Sequence, residues 1–172
     1  FNVEMVFKKG VLYWNNGELR DFEAPQIEEY LDKRAHDTFH VATLTPDDFR
    51  DTRQRGVLGM VPGEIITTDN GYADHVDLEK DILKIAVVER HKGTHHIGLG
   101  YIQGYGLQSG AVATSISHDS HNIIVVGTNS ADMAFAANYI VEHHGGIVVV
   151  ENGVVKGSVV LEIAGIMADR PV

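Results

Sequence analysis

The sequence holds 172 residues, enough for one domain of ordinary size with a self-sufficient core. Hydrophobic residues make up 44% and charged residues 22%, a globular composition that excludes a disordered chain. Acidic residues outnumber basic ones 24 to 14, a net charge of −10 without any Lys/Arg cluster, so no nucleic-acid binding is expected; the absence of cysteine excludes disulfides and thiolate metal sites.

Asn2–Phe7 and Val11–Trp14 are short apolar runs joined by Lys8-Lys9-Gly10, and Asn15-Asn16-Gly17 behind them carries a tight-turn signature. They predict a small hairpin belonging to a larger sheet. Asp21–Thr38 is polar, with Pro25 near its start, and holds a short helix around Gln26–Lys33 or a connecting arm. Phe39–Leu44 reads as a strand and Thr45–Phe49 as a turn opening a helical turn. Val57–Val61 and Glu64–Thr68 are strand-like around Pro62-Gly63, Asp69–Asp77 reads as a polar loop, and Ile82–Glu89 is a strong strand. Ile97–Leu107 carries glycines at 98, 100, 104 and 106. Their spacing fits neither a dinucleotide fingerprint nor a P-loop, and close backbone packing is the expectation.

Ala111–Ile116 and Ile123–Gly127 are two further strands flanking a His-rich run. From Ser130 to His143 the pattern turns helical, with Met133, Ala136, Ala137, Ile140 and Val141 on one face, Asn129 or Ser130 as cap, and Gly145-Gly146 beyond the end. Ile147–Val150 and Val154–Leu161 flank Asn152-Gly153, a strong hairpin signal. Many strands and few helices predict an α+β fold with a mainly antiparallel sheet. No apolar stretch approaches a membrane span and no signal-peptide pattern is present, so a cytoplasmic location without membrane association is expected. The chain opens on Phe1 and closes on Val172 without terminal elements, as if cut from a longer polypeptide.

Reactive side chains are densest in Ser117-His118-Asp119-Ser120-His121-Asn122, between two apolar strands. A polar loop with buried roots suits binding or catalysis, and two imidazoles can move protons near neutral pH. The alternative is an ordinary solvated turn. His118 and His121 with Asp119 could also approach a metal, but their spacing matches no short metal motif. A triad is disfavoured, because adjacent residues cannot easily point at one another in the required order. Glu89-Arg90-His91 closes the strand from Ile82, and alternation directs at least one of its charges inward, unless the strand end simply emerges into water. His95-His96 and His143-His144 read as surface pairs, and His36, His40 and His75 carry no motif.

Lys84–His91, Ile97–Tyr101, Gly104–Leu107, Gly110–Asn122, Val126–Asn129, Gly145-Gly146 and Ile163–Met167, in that order, resemble successive blocks of adenine deaminase C-terminal domains. The resemblance covers most of Val57–Asp169, and His118–Asn122 is its most specific element. Glu162 stands where the pattern has proline. The likeness implies residues 1–20 as closing strands of a small β-domain beside an amidohydrolase barrel, 21–56 as a connection and 57–172 as the C-terminal domain. It implies a parent enzyme that converts adenine to hypoxanthine and ammonia with manganese or iron held in a barrel absent from this chain, which has no H-x-H pair. The chain alone would then bind no metal and be inactive. His118, Asp119 and His121 become candidates for contact with the purine or support of a metal ligand. Ser117, Ser120, Asn122, Glu89, Arg90 and His91 become candidate binding or supporting residues. A homo-oligomer, with adenine and the barrel as partners, is implied. The open alternatives are a structural or oligomerisation domain of the same enzyme and an independent His/Asp metal-binding module.

Overall fold

The computed structural model describes residues 2–20 and 26–171. Pro25 and the two chain ends, Phe1 and Val172, lie outside the described residues. The chain forms two compact units that divide between Asp32 and Lys33.

The first unit holds a three-stranded antiparallel sheet of β1 (Met5–Lys8), β2 (Val11–Asn15) and β3 (Glu18–Leu19). Its second turn, Asn16-Gly17, takes φ of 45° and 98°, the doubly left-handed geometry that a two-residue hairpin requires. Val6, Phe7, Val11 and Leu19 are exposed. Helix α1 (Glu29–His36) starts three residues later than the sequence suggested and contains no buried residue.

The second unit is built on an eight-stranded sheet. In chain order the strands are β4 (Arg55–Met60), β5 (Thr67–Ala73), β6 (Ile82–Val88), β7 (Ile97–Gln103), β8 (Ala111–Thr114), β9 (Ile123–Gly127), β10 (Gly146–Glu151) and β11 (Val154–Val160). In space the order is β11-β10-β8-β9-β6-β7-β4-β5. Every pairing is antiparallel except β4 with β7, so the α+β, mainly antiparallel expectation holds.

Helix α2 (Ser130–Glu142) covers one face. Asn129 caps it, its side chain accepting from Asp132 N at 2.8 Å. The predicted stripe is real: Met133, Ala136, Ala137 and Ile140 are buried against Ala86, Ala111, Ala113, Val125 and Val148. The sheet residues here are small so that the helix can approach. A Cβ added at Gly127 would lie 2.5 Å from Met133 Cγ.

Four local expectations fail. Phe39–Leu44 is not a strand but an irregular segment laid on the core, and at Leu44 the Asn138 side chain takes the place of a partner strand. Asn138 Oδ1 accepts from Leu44 N at 2.9 Å and its Nδ2 donates to Leu44 O at 2.8 Å. Glu64–Thr68 is mostly loop, and β5 runs instead through residues read as a polar loop. As an edge strand paired only with β4, β5 tolerates that polarity. Finally, Gly98 and Gly100 are not tightly packed: the nearest atoms to an added Cβ lie 4.0 Å and 3.5 Å away.

Candidate functional site

The register fixes which loops meet. Val88, at the end of β6, pairs with Ile97 and with Ile123, and Thr114, at the end of β8, pairs with Ile124 and Ile147. The connections 89–96, 115–122 and 143–145 therefore emerge at one end of the sheet. His91, His95, His96, His118, His121, His143 and His144 ride on them, and His40 joins through its main chain, donating to Arg90 O at 2.8 Å. This gathering is invisible in the sequence, where these residues are scattered over a hundred positions.

The loop Ser117–Asn122 is tightly folded. His121 N donates to Ser117 O at 2.7 Å, the Ser117 and Ser120 hydroxyls lie 3.2 Å apart, and Asn122 N donates to Ser120 Oγ at 3.3 Å. Two of its residues, Asp119 (φ 67°) and His121 (φ 48°), adopt left-handed backbone, which non-glycine residues rarely do and which clusters at functional sites. The fold divides the candidates. His118 and Asp119 form the tip, with side chains 95% and 91% exposed and His118 Nδ1 3.3 Å from Asp119 Oδ1. His121 is half-buried, with Nδ1 turned inward and without a hydrogen-bond partner, and Ser117 is buried.

Beneath the loop lies Arg90, 2% exposed. Alternation predicted one inward charge at this strand end, and Arg90 is that charge. Its partners are carbonyls rather than carboxylates: Nε donates to His121 O at 2.5 Å, Nη1 to Thr38 O at 2.9 Å, and Nη2 to Ala164 O at 2.9 Å. The guanidinium also sits 4.2 Å from the centre of the Phe39 ring. Burial lowers its pKa, and the carbonyl dipoles compensate the desolvated charge. Arg90 N and His91 complete the support: Arg90 N donates to Asn122 Oδ1 at 3.4 Å, and His91 Nε2 donates to Ser120 O at 2.8 Å.

Glu89 turns the other way and organises the turn after β6. Its carboxylate accepts from His91 N at 2.6 Å, Lys92 N at 2.9 Å and Thr94 Oγ1 at 2.9 Å. Partial desolvation pushes its pKa up, but these donors outweigh it and hold the carboxyl at about 2. The pairs read as surface histidines also have local partners. His95 Nε2 donates to Asp48 Oδ1 at 3.0 Å, and His143 stacks on Tyr139 with ring centroids 3.9 Å apart.

Among the described residues no group of three or more His, Asp or Glu side chains is arranged to hold a metal ion. The residues present do not fit one: the exposed His118–Asp119 tip and the inward His121 ring do not converge. What the arrangement offers is a rigidly rooted, exposed imidazole and carboxylate, with donors and acceptors suited to a small polar molecule or a neighbouring protein surface. No helix among the described residues is long and apolar enough to cross a membrane.

Residues 63–172 match the profile of the adenine deaminase C-terminal domain. Among curated relatives, adenine deaminase 1 of Rhizobium etli is 46% identical over 125 residues, covering 69% of this chain and 22% of its own. An adenine deaminase of Bacillus velezensis is 48% identical over 139 residues, 75% of this chain and 24% of its own. One from Lysinibacillus sphaericus is 38% identical over 96% of this chain and 30% of its own. The chain thus spans less than a third of the length of these relatives.

Proposed function

We propose a function from this premise: the chain belongs to the adenine deaminase C-terminal domain family. The intact protein takes adenine and water to hypoxanthine and ammonia, and this chain supplies its C-terminal domain. The observation that carries the proposal is the family match over residues 63–172, which contains the whole Ser117–Asn122 loop and its Arg90 support.

Within the parent, the loop faces the mouth of the catalytic barrel. Adenine presents acceptors at N1, N3 and N7 and a donor at N6. The exposed His118 and Asp119 side chains supply one group of each kind, while Ser117, Ser120, His121 and Asn122 hold the loop in shape. Arg90, Glu89 and His91 act by positioning rather than by contact. The hydrolytic metal, manganese or iron, is assigned to the barrel of the intact protein, as the family resemblance implies. A cytoplasmic homo-oligomer is the setting we assign.

A second reading is favoured by one observation: most bonds of Arg90, His91 and Glu89 go to main chain, as in a purely structural support. In that case the loop steadies the assembly and touches no substrate. The primary proposal is tested by assaying the intact protein, supplied with manganese or iron, for hypoxanthine formed from adenine. Turnover is expected, and its absence would overturn the assignment.

A further inference from the structure

The central strands β6, β8, β9 and β10 of the large sheet are largely apolar on both faces, yet helix α2 covers only one. On the other, the register aligns Val159, Ile147, Thr114, Ile124, Val87 and Gly98 in a continuous row across β11, β10, β8, β9, β6 and β7. The next row reads Gly157, Val149, Val112, Val126, Ile85 and Gly100. An antiparallel sheet with one face in water alternates apolar with polar residues, whereas near-continuous apolar strands mark a sheet covered on both sides. Part of this second face is covered: Leu83, Ile102 and Val126 are buried beneath Val76, Tyr105 and Leu107. The remainder is open, and Val87, Ile147, Val149 and Val159 are exposed.

Two further features mark the open part. A cleft of about 610 Å³ runs over Gly56, Gly98 and Gly100, which present bare backbone as its floor, with Leu58, Tyr72 and Val87 along it. Beside it the β4–β5 loop overhangs a second, apolar cleft of about 330 Å³ and carries Ile65, fully exposed, and Ile66. An isoleucine pair at a loop tip above an uncovered apolar face has the form of half an interface.

We propose that this second face is where the domain seats against the rest of its own polypeptide. The relatives carry more than two thirds of their length outside the share that this chain matches, so a full-length protein of this family has ample polypeptide to cover the face. A second copy is the poorer occupant of this face, because it meets the face only at its bulk concentration. A tethered segment of the same chain meets the face at high effective concentration. The inference rests on the chain being one domain of a longer polypeptide, which the family match supplies, and does not depend on which reaction the parent performs.

Hydroxyl-radical footprinting of the intact protein over a range of concentrations tests it, reading Met60, Ile65, Tyr72, Val87 and Ile147. Each residue's rate in the urea-unfolded protein and the rate of the core residue Leu83 set the two limits. The expected result is modification as slow as that of Leu83 at every concentration. Modification close to the unfolded rate would overturn the proposal, because the face would then be free. Protection that disappears on dilution would also overturn it, in favour of a second copy. Adenine turnover measured on the same sample separates a failure here from a failure of the deaminase assignment.

Discussion

Arg90 grips His121 by the main chain and not by the ring: its Nε donates to the His121 carbonyl at 2.5 Å, while the imidazole Nδ1 stays buried and unpaired. The same guanidinium reaches Thr38 and Ala164, so one buried cation ties together three segments far apart in the sequence. The left-handed backbone at Asp119 and His121 is held by this tie and by the bond from His91 to Ser120.

Arg90→Leu therefore leaves three inward carbonyls without a donor. Unsatisfied buried acceptors cost on the order of 1–3 kcal/mol each, so the variant should lose about 3 kcal/mol or more of stability. Arg90→Lys should recover little, because a single ammonium cannot span the fork. Denaturant midpoints of the intact protein check the loss, and amide exchange should show 117–122 loosening first. A midpoint unchanged in Arg90→Leu would contradict the role.

Glu89 gives a pH dependence whose sign is fixed. Its folded pKa of about 2 lies below the ordinary 4.5, so the ionised form is the one the fold favours. Its contribution is fully present above pH 4.5 and is lost as pH falls from there toward 2. Glu89→Gln should be less stable than the parent at neutral pH and should show a shallower stability loss over that acid window. Acid titration of the unfolding midpoint checks both, and parallel curves for the two proteins would refute the assignment.

Asp132 is a buried carboxylate, 3% exposed, inside the first turn of α2. It accepts from Gly153 N at 2.8 Å, Asn152 N at 3.1 Å and Asn129 Nδ2 at 2.9 Å, and so locks the β10–β11 hairpin to the helix start. Burial pushes its pKa up, but these donors outweigh it and the net shift is downward. Asp132→Ala should cost about 1.5–3 kcal/mol, the range for hydrogen bonds to a charged group, and should raise exchange at Asn152 and Gly153. Exchange at the hairpin equal to that of the parent would refute this.

Much of the fold was legible because its signals were local. The α2 stripe at Met133, Ala136, Ala137 and Ile140 and the Asn16-Gly17 and Asn152-Gly153 turns lie within a few residues of their causes. Phe39–Leu44 misled because its apolar residues do pack on the core, while its hydrogen bonds go to distant partners, His40 N to Arg90 O and Leu44 to the Asn138 side chain. β5 escaped notice because an edge strand facing water needs no apolar alternation. The candidate loop stood out by composition alone. What composition could not reveal was the split between the exposed His118–Asp119 tip and the buried His121 nitrogen. Nor could it reveal that an inward arginine would be satisfied by carbonyls, since both depend on a strand order that crosses the chain.

The most direct measurement is adenine turnover by the intact protein carrying His118→Ala, with assembly and metal content checked. Since the imidazole is 95% exposed, its loss should leave stability almost unchanged. A fall in kcat/KM of roughly 10–100-fold is expected, with fold, metal and assembly intact. Turnover equal to that of the unmutated protein would contradict it and make the loop a structural feature alone.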